Sequence, residues 1–122
     1  FRQFNLEVTH DFLTQTISYA VLLGEMGNIA AGLNILKKCE ILVLLSHPDQ
    51  RLDYATIQES IGYLHLLAWE FEQANERFKV VLDIYRELYS EEAEQFKEEK
   101  AKLAYYTDLA HLFERKYISQ KH

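Results

Sequence analysis

Two pairs of residues have the spacing of a metal site. Glu7-x-x-His10 stands near one end of the 122-residue chain and Asp108-x-x-His111 near the other. Residues three apart share a helix face, and two Glu-x-x-His units joined by two further glutamates make the di-iron site of a four-helix bundle. The set is incomplete here. Aspartate replaces glutamate in the second pair, Glu7 to His10 falls near the start of its helix, and Glu40, Glu70 and Glu72 read as surface or helix-end positions. A carboxylate and histidine metal bundle is therefore the alternative reading, and no cofactor is expected.

Other chemistry is sparser. The chain has no Gly-rich phosphate loop, no G-x-S-x-G elbow, no H-E-x-x-H and no C-x-x-C, so an enzyme is not expected. Histidine is the side chain suited to proton transfer near neutral pH, but the helical setting of His65 suits a partly buried structural histidine better. Cys39, the single cysteine, falls on an apolar helix face and reads as a buried, reduced thiol, which suits a cytoplasmic protein. The net charge of −6 argues against nucleic acid, whose phosphates need a concentrated basic surface. Basic or apolar partners fit better. The glutamates 91, 92, 94, 98 and 99, interleaved with Lys97, Lys100 and Lys102, read as a solvated helix face or an acidic docking strip.

The elements that must position these groups are helices. Nearly half of the residues are apolar, a quarter are charged, and there are only four glycines and one proline. No apolar run approaches the roughly 20 residues that cross a bilayer, and no membrane association is expected. From Phe12 to Leu23 apolar residues recur at spacings of three and four, and Gly24, Gly27 and Asn28 end that helix. A second helix is predicted over 29–45, stopped by Ser46-His47-Pro48-Asp49, a third from about Arg51 to a turn near Trp69, and a fourth ending near Ser90. Ser90 is then the predicted N-cap of a fifth helix reaching about Arg115, with Glu91 and Glu92 against the positive end of its dipole.

Offsetting the chain by 42 residues exposes a repeat. Tyr19-Ala20 falls on Ile61-Gly62 and then on Leu103-Ala104, Ile29 on Phe71 and Phe113, Gly32 on Ala74, Leu36 on Phe78 and Cys39 on Val81. Small residues let paired helices approach closely, and large apolar residues fill the space between pairs. The units run about 8–49, 50–90 and 91–122, within a single domain. The chain begins at Phe1 with neither an initiator methionine nor a signal-peptide pattern, and we read it as a piece of a longer protein.

The order apolar-small, turn, aromatic or apolar, small, large apolar in Tyr19-Ala20, Gly27, Ile29, Gly32, Leu36 and again in Ile61-Gly62, Phe71, Ala74, Phe78 resembles the tetratricopeptide repeat. Such repeats usually have about 34 residues; the longer spacing, with His47-Pro48-Asp49 between units, looks like the variant in kinesin light chains. Trp69 stands where the family often has glycine, and Lys116 replaces the small residue expected in the third unit.

The resemblance implies an all-α, right-handed helical-hairpin repeat array, an α-solenoid of about five helices. It implies a non-catalytic adaptor or scaffold whose first helices line a concave groove for a peptide or helix of a partner protein. Carried over by position, the groove-facing candidates are Thr14, Ile17, Val21 and Gly24, then Thr56, Glu59, Tyr63 and Leu66, then Glu98, Ala101, Tyr105 and Asp108. Lysine, arginine and asparagine, which grip C-terminal carboxylates elsewhere in the family, do not occupy these positions. Tyrosines beside Glu59, Glu98 and Asp108 suit an apolar anchor flanked by basic residues. A structural segment of a longer solenoid, or a surface through which the isolated domain forms a homodimer, is a further alternative.

Overall fold

The computed structural model describes residues 9–46 and 49–121, which form five α-helices and no strand: α1 (His10–Glu25), α2 (Ile29–Ser46), α3 (Arg51–Leu67), α4 (Phe71–Tyr89) and α5 (Glu94–Lys121). Thr9 caps α1, its hydroxyl accepting from the Phe12 N–H at 3.1 Å, and Asp11 favours the positive end of the same helix. Among the described residues no helix is long and apolar enough to cross a membrane.

The turns that close the first two helical hairpins are chemically different and geometrically the same. After α1, the Gly27 N–H donates to the Gly24 carbonyl and the Asn28 N–H to that of Leu23. After α3, forty-two residues on, Trp69 donates to Leu66 and Glu70 to His65. Both are Schellman closures, which need a left-handed residue at the first position past the cap. Gly27 supplies it at φ 100°, and Trp69 adopts φ 60°. A side chain in that region costs about 1–2 kcal/mol, and Trp69 sets against this the packing of its ring on Tyr117, 5.1 Å between centroids.

The small residues act as the repeat predicts. A Cβ added to Gly32 would stand 2.5 Å from the Ala20 carbonyl oxygen, so α1 and α2 touch backbone to backbone there. Ala20 and Ala74 are fully buried. Leu13, Ile17, Leu36, Cys39, Val43, Ile57, Ile61 and Leu64 form one core between α1, α2 and α3, and Phe78, Val81, Ile84, Leu66 and Leu103 carry a second between α3, α4 and α5. Each helix packs on its neighbours in sequence, and α3 packs additionally on α1 and α5; among the described residues α1 and α5 do not meet.

The last joint departs from expectation. Ser90 is not an N-cap: it ends α4 with φ 85°, its N–H donating to the Arg86 carbonyl, and residues 91–93 make a further turn before α5 begins at Glu94. Glu91, predicted to face the dipole of α5, instead accepts from Arg86 Nε at 2.6 Å. The helix then runs past Arg115 to Lys121 without the break that a third hairpin requires.

Candidate functional site

α3 and α5 lie side by side and parallel, as the contacts along them show in order. Glu59 meets Lys102 (2.9 Å) and, one turn further along both helices, Tyr63 meets Tyr106 (centroids 5.7 Å). Beyond that, Leu66 and Leu67 line a notch with Leu109, Ala110 and Phe113. Residues 43 apart therefore face one another across this seam, one more than the 42-residue offset of the sequence repeat. A single residue rotates a helical position by about 100°. Tyr106 consequently faces the groove, while Tyr105 is 62% exposed and points outward.

Three depressions follow this seam. A cavity of about 320 Å³ at its start is lined by Leu52, Tyr85, Tyr89, Gln95, Glu98, Glu99 and Lys102. The middle one, about 270 Å³, is bounded by Val21, Glu25, Glu59, Ser60, Tyr63 and Tyr106. The apolar notch at the far end measures about 100 Å³.

The electrostatics centre on Lys102, whose Nζ bridges Glu59 and Glu99 at 2.9 and 3.1 Å. Glu99 is only 6% exposed, and its Oε2 has no hydrogen-bond partner among the described residues. Burial pushes the Glu99 carboxyl up to about 7, the neighbouring Glu59 carboxylate pushes the same way, and Lys102 restrains it. Burial works against the charge of Lys102, but its two carboxylate partners hold its pKa above the ordinary lysine range. Tyr63 donates to Glu25 Oε2 at 2.7 Å; burial first, then this bond, pushes its phenol up to about 12. Tyr85 is likewise raised, by burial and then by Glu99 and Glu59.

Of the residues predicted to face a partner, Val21, Glu59, Tyr63 and Glu98 line these depressions. Ile17 does not: it is 8% exposed and belongs to the first core, as does Gly24, packed on Leu64. Leu66, 2% exposed, is a core residue that contributes only to the floor of the notch. Asp108 lies on the opposite flank of α5, in a trough shared with Phe78, Leu82 and Ala104 of the α4 side and α5. Glu25 and Tyr106 went unread, and Glu99 and Lys102, read as part of a solvated helix face or acidic strip, instead form a cluster with Glu59 in which Glu99 is buried. The four-residue step from Lys102 to Tyr106, matching Glu59 to Tyr63, is the signal that identifies the last two groove positions once the 43-residue register is known.

Glu40, expected at the surface, is also misplaced by that reading. Its Oε2 accepts from Gln58 Nε2 (2.5 Å) and Arg77 NH1 (3.1 Å), and Arg77 donates to Gln58 Oε1 at 2.8 Å, which ties α2, α3 and α4 together. His65 sits 2.7 Å from Glu70 Oε1 beside the turn that follows α3. Burial raises the Cys39 thiol pKa, which keeps it protonated and unreactive. Glu7 lies outside the described residues, His10 is 3.1 Å from Asp53, and the His111 ring stacks on Phe71 at 3.7 Å. Among the described residues no three His, Cys, Asp or Glu side chains converge as a metal site.

No protein-family model matches the chain, and no curated protein or solved structure matches it.

Proposed function

We propose that the chain is a non-catalytic binding module of the tetratricopeptide-like, right-handed hairpin-array type, and that the face formed by α1, α3 and α5 receives a peptide of a partner protein. The two Schellman closures, 42 residues apart, and the buried small residues Gly32 and Ala74, also 42 apart, support the array reading. The observation that carries the binding reading is the succession of depressions along α3 and α5, acidic and tyrosine-lined at one end and apolar at the other. Tyrosines of this kind offer large contact area with a polar tip, a combination enriched where proteins bind one another. A protonated Cys39 thiol suits a reducing compartment such as the cytoplasm.

The test is selection of a displayed random-peptide library on the whole chain, with Tyr63→Ala and Glu98→Lys combined as the counter-variant. Peptides retained by the wild type and lost by a variant with unchanged helical circular dichroism support the groove. Peptides retained equally by both, or none retained at all, refute it.

A second reading has an observation of its own. Leu112, Phe113 and Ile118 on α5, and Phe12, Tyr19 and Met26 on α1, are large apolar residues left exposed at the two ends of the helical row. Such end faces suit further hairpins or a second copy of the chain. Sedimentation at increasing concentration tests this, and a monomer throughout rules out the self-associating form.

A further inference from the structure

The groove has a chemical direction, and that direction restricts what it can hold. Because α3 and α5 are parallel, the three depressions succeed one another along α5, from Glu98 and Glu99 through the Tyr63 and Tyr106 pair to Leu109 and Phe113. At 1.5 Å of rise per residue, Glu99 lies about 15 Å from Leu109 and about 21 Å from Phe113 along α5.

The first end is made for a cation. Lys102 is committed to Glu59 and to one oxygen of Glu99, which leaves the second Glu99 oxygen without a donor although the side chain is 94% shielded from solvent. A buried carboxylate in that condition is costly, and positive charge brought into the cavity that Glu99 lines lowers the cost. Glu98 lines the same cavity and is exposed, adding negative charge at its mouth. Tyr85 and Tyr89, their ring centroids 5.7 Å apart, form part of its wall and add aromatic surface of the kind that attracts cations. The far end has the opposite character: Leu66, Leu67, Leu109, Ala110 and Phe113 enclose about 100 Å³, room for one side chain.

We infer that the groove takes a bipartite, extended peptide segment, with one lysine or arginine at the Glu98, Glu99, Tyr85 and Tyr89 end and one aliphatic or aromatic anchor in the Leu67, Leu109 and Phe113 notch. This rests on the groove reading above and adds the ligand's composition, order and spacing. The two anchors stand four to six residues apart, since an extended chain covers about 3.3 Å per residue. A helical ligand fits less well, because a helix in a groove presents apolar anchors at i, i+3 or i+4 and i+7, whereas among the described residues the apolar lining of the seam gathers in the notch at one end. Anionic ligands, whether nucleic acid or an acidic lipid surface, meet repulsion at the first cavity.

The experiment uses the library peptides recovered on the whole chain. The spacing of their basic and apolar positions is read out, then one peptide is resynthesised with a photo-cross-linker at either position. The expected result is Lys or Arg enriched four to six positions from Leu, Ile or Phe, with cross-links from the basic position to 85–99 and from the apolar position to 109–113. Glu98→Lys then weakens these peptides at least tenfold, and exchange of the peptide's Lys for Glu restores part of the loss. Peptides that need Tyr63 but lack this spacing, or that cross-link with the ends exchanged, overturn the bipartite inference and leave the groove standing. Peptides indifferent to Tyr63→Ala, or none recovered, overturn both.

Discussion

Two polar seams run through this small all-helical structure, and they are finished to different degrees. The inner seam joins α2, α3 and α4 through Glu40, Gln58 and Arg77, and the groups that face one another there all have partners. The outer seam joins α3 to α5 through Glu59, Lys102 and Glu99, and it leaves one buried carboxylate oxygen without a hydrogen-bond partner among the described residues. Both hold helices together with charge. The first is saturated and closes a joint; the second keeps an unmet acceptor beside a cavity open to solvent. Saturation is what distinguishes a polar cluster serving only the fold from one with capacity left for a ligand.

The comparison breaks most visibly at the inner seam. Arg77→Ala removes a cation from a mostly buried carboxylate and should cost about 2–3 kcal/mol of stability, below the cost of a fully buried pair because both side chains retain some water contact. Chemical denaturation measures it. A loss under about 0.5 kcal/mol would make the inner cluster ornamental.

The outer seam should respond in the opposite sense. The folded-state pKa of Glu99 is raised to about 7, so its contribution to stability is fully present below its ordinary value of 4.5 and is lost as pH rises through about 7. Glu99→Gln should therefore leave stability at pH 5 nearly unchanged and raise it at pH 8 by about 1–2 kcal/mol, a figure reduced from the full shift because Lys102 sits at a solvated rim. Urea midpoints of both proteins at both pH values decide this. A Glu99→Gln variant less stable than the wild type at pH 8 would contradict the reading of Glu99 as an under-satisfied acid.

The smallest effect concerns binding. A cationic ligand favours the ionised Glu99, so affinity for a basic peptide should rise severalfold between pH 6 and pH 8, and the rise should vanish in Glu99→Gln. Fluorescence titrations at the two pH values measure it, and equal pH dependence in both proteins would remove Glu99 from the cation site.

Much of the fold was legible because repeated packing leaves repeated residues. Gly32 and Ala74 mark close helix approaches, and Gly27 announces a left-handed turn. Trp69 and Ser90 were harder to read, since a non-glycine residue at positive φ has no strong sequence signature. Ser90 followed by two glutamates has the composition of an N-cap, but it makes a turn instead, and the residues that face one another across α3 and α5 are 43 apart rather than 42. That step replaced Tyr105 with Tyr106 and took Asp108 out of the groove. Ile17 and Leu66 were placed by analogy of position, which does not separate a groove floor from the core beneath it. Glu40 was read as a surface residue because its partners come from two other helices, and such partners have no local pattern.

The central claim is that binding belongs to the outer seam and stability to the inner one. Hydrogen exchange of the chain with and without a selected peptide tests it directly. The account predicts new protection within 52–67 and 95–113, with α2 unchanged; protection centred on α2 and the outer side of α4, with the α3 and α5 amides unaffected, would contradict it.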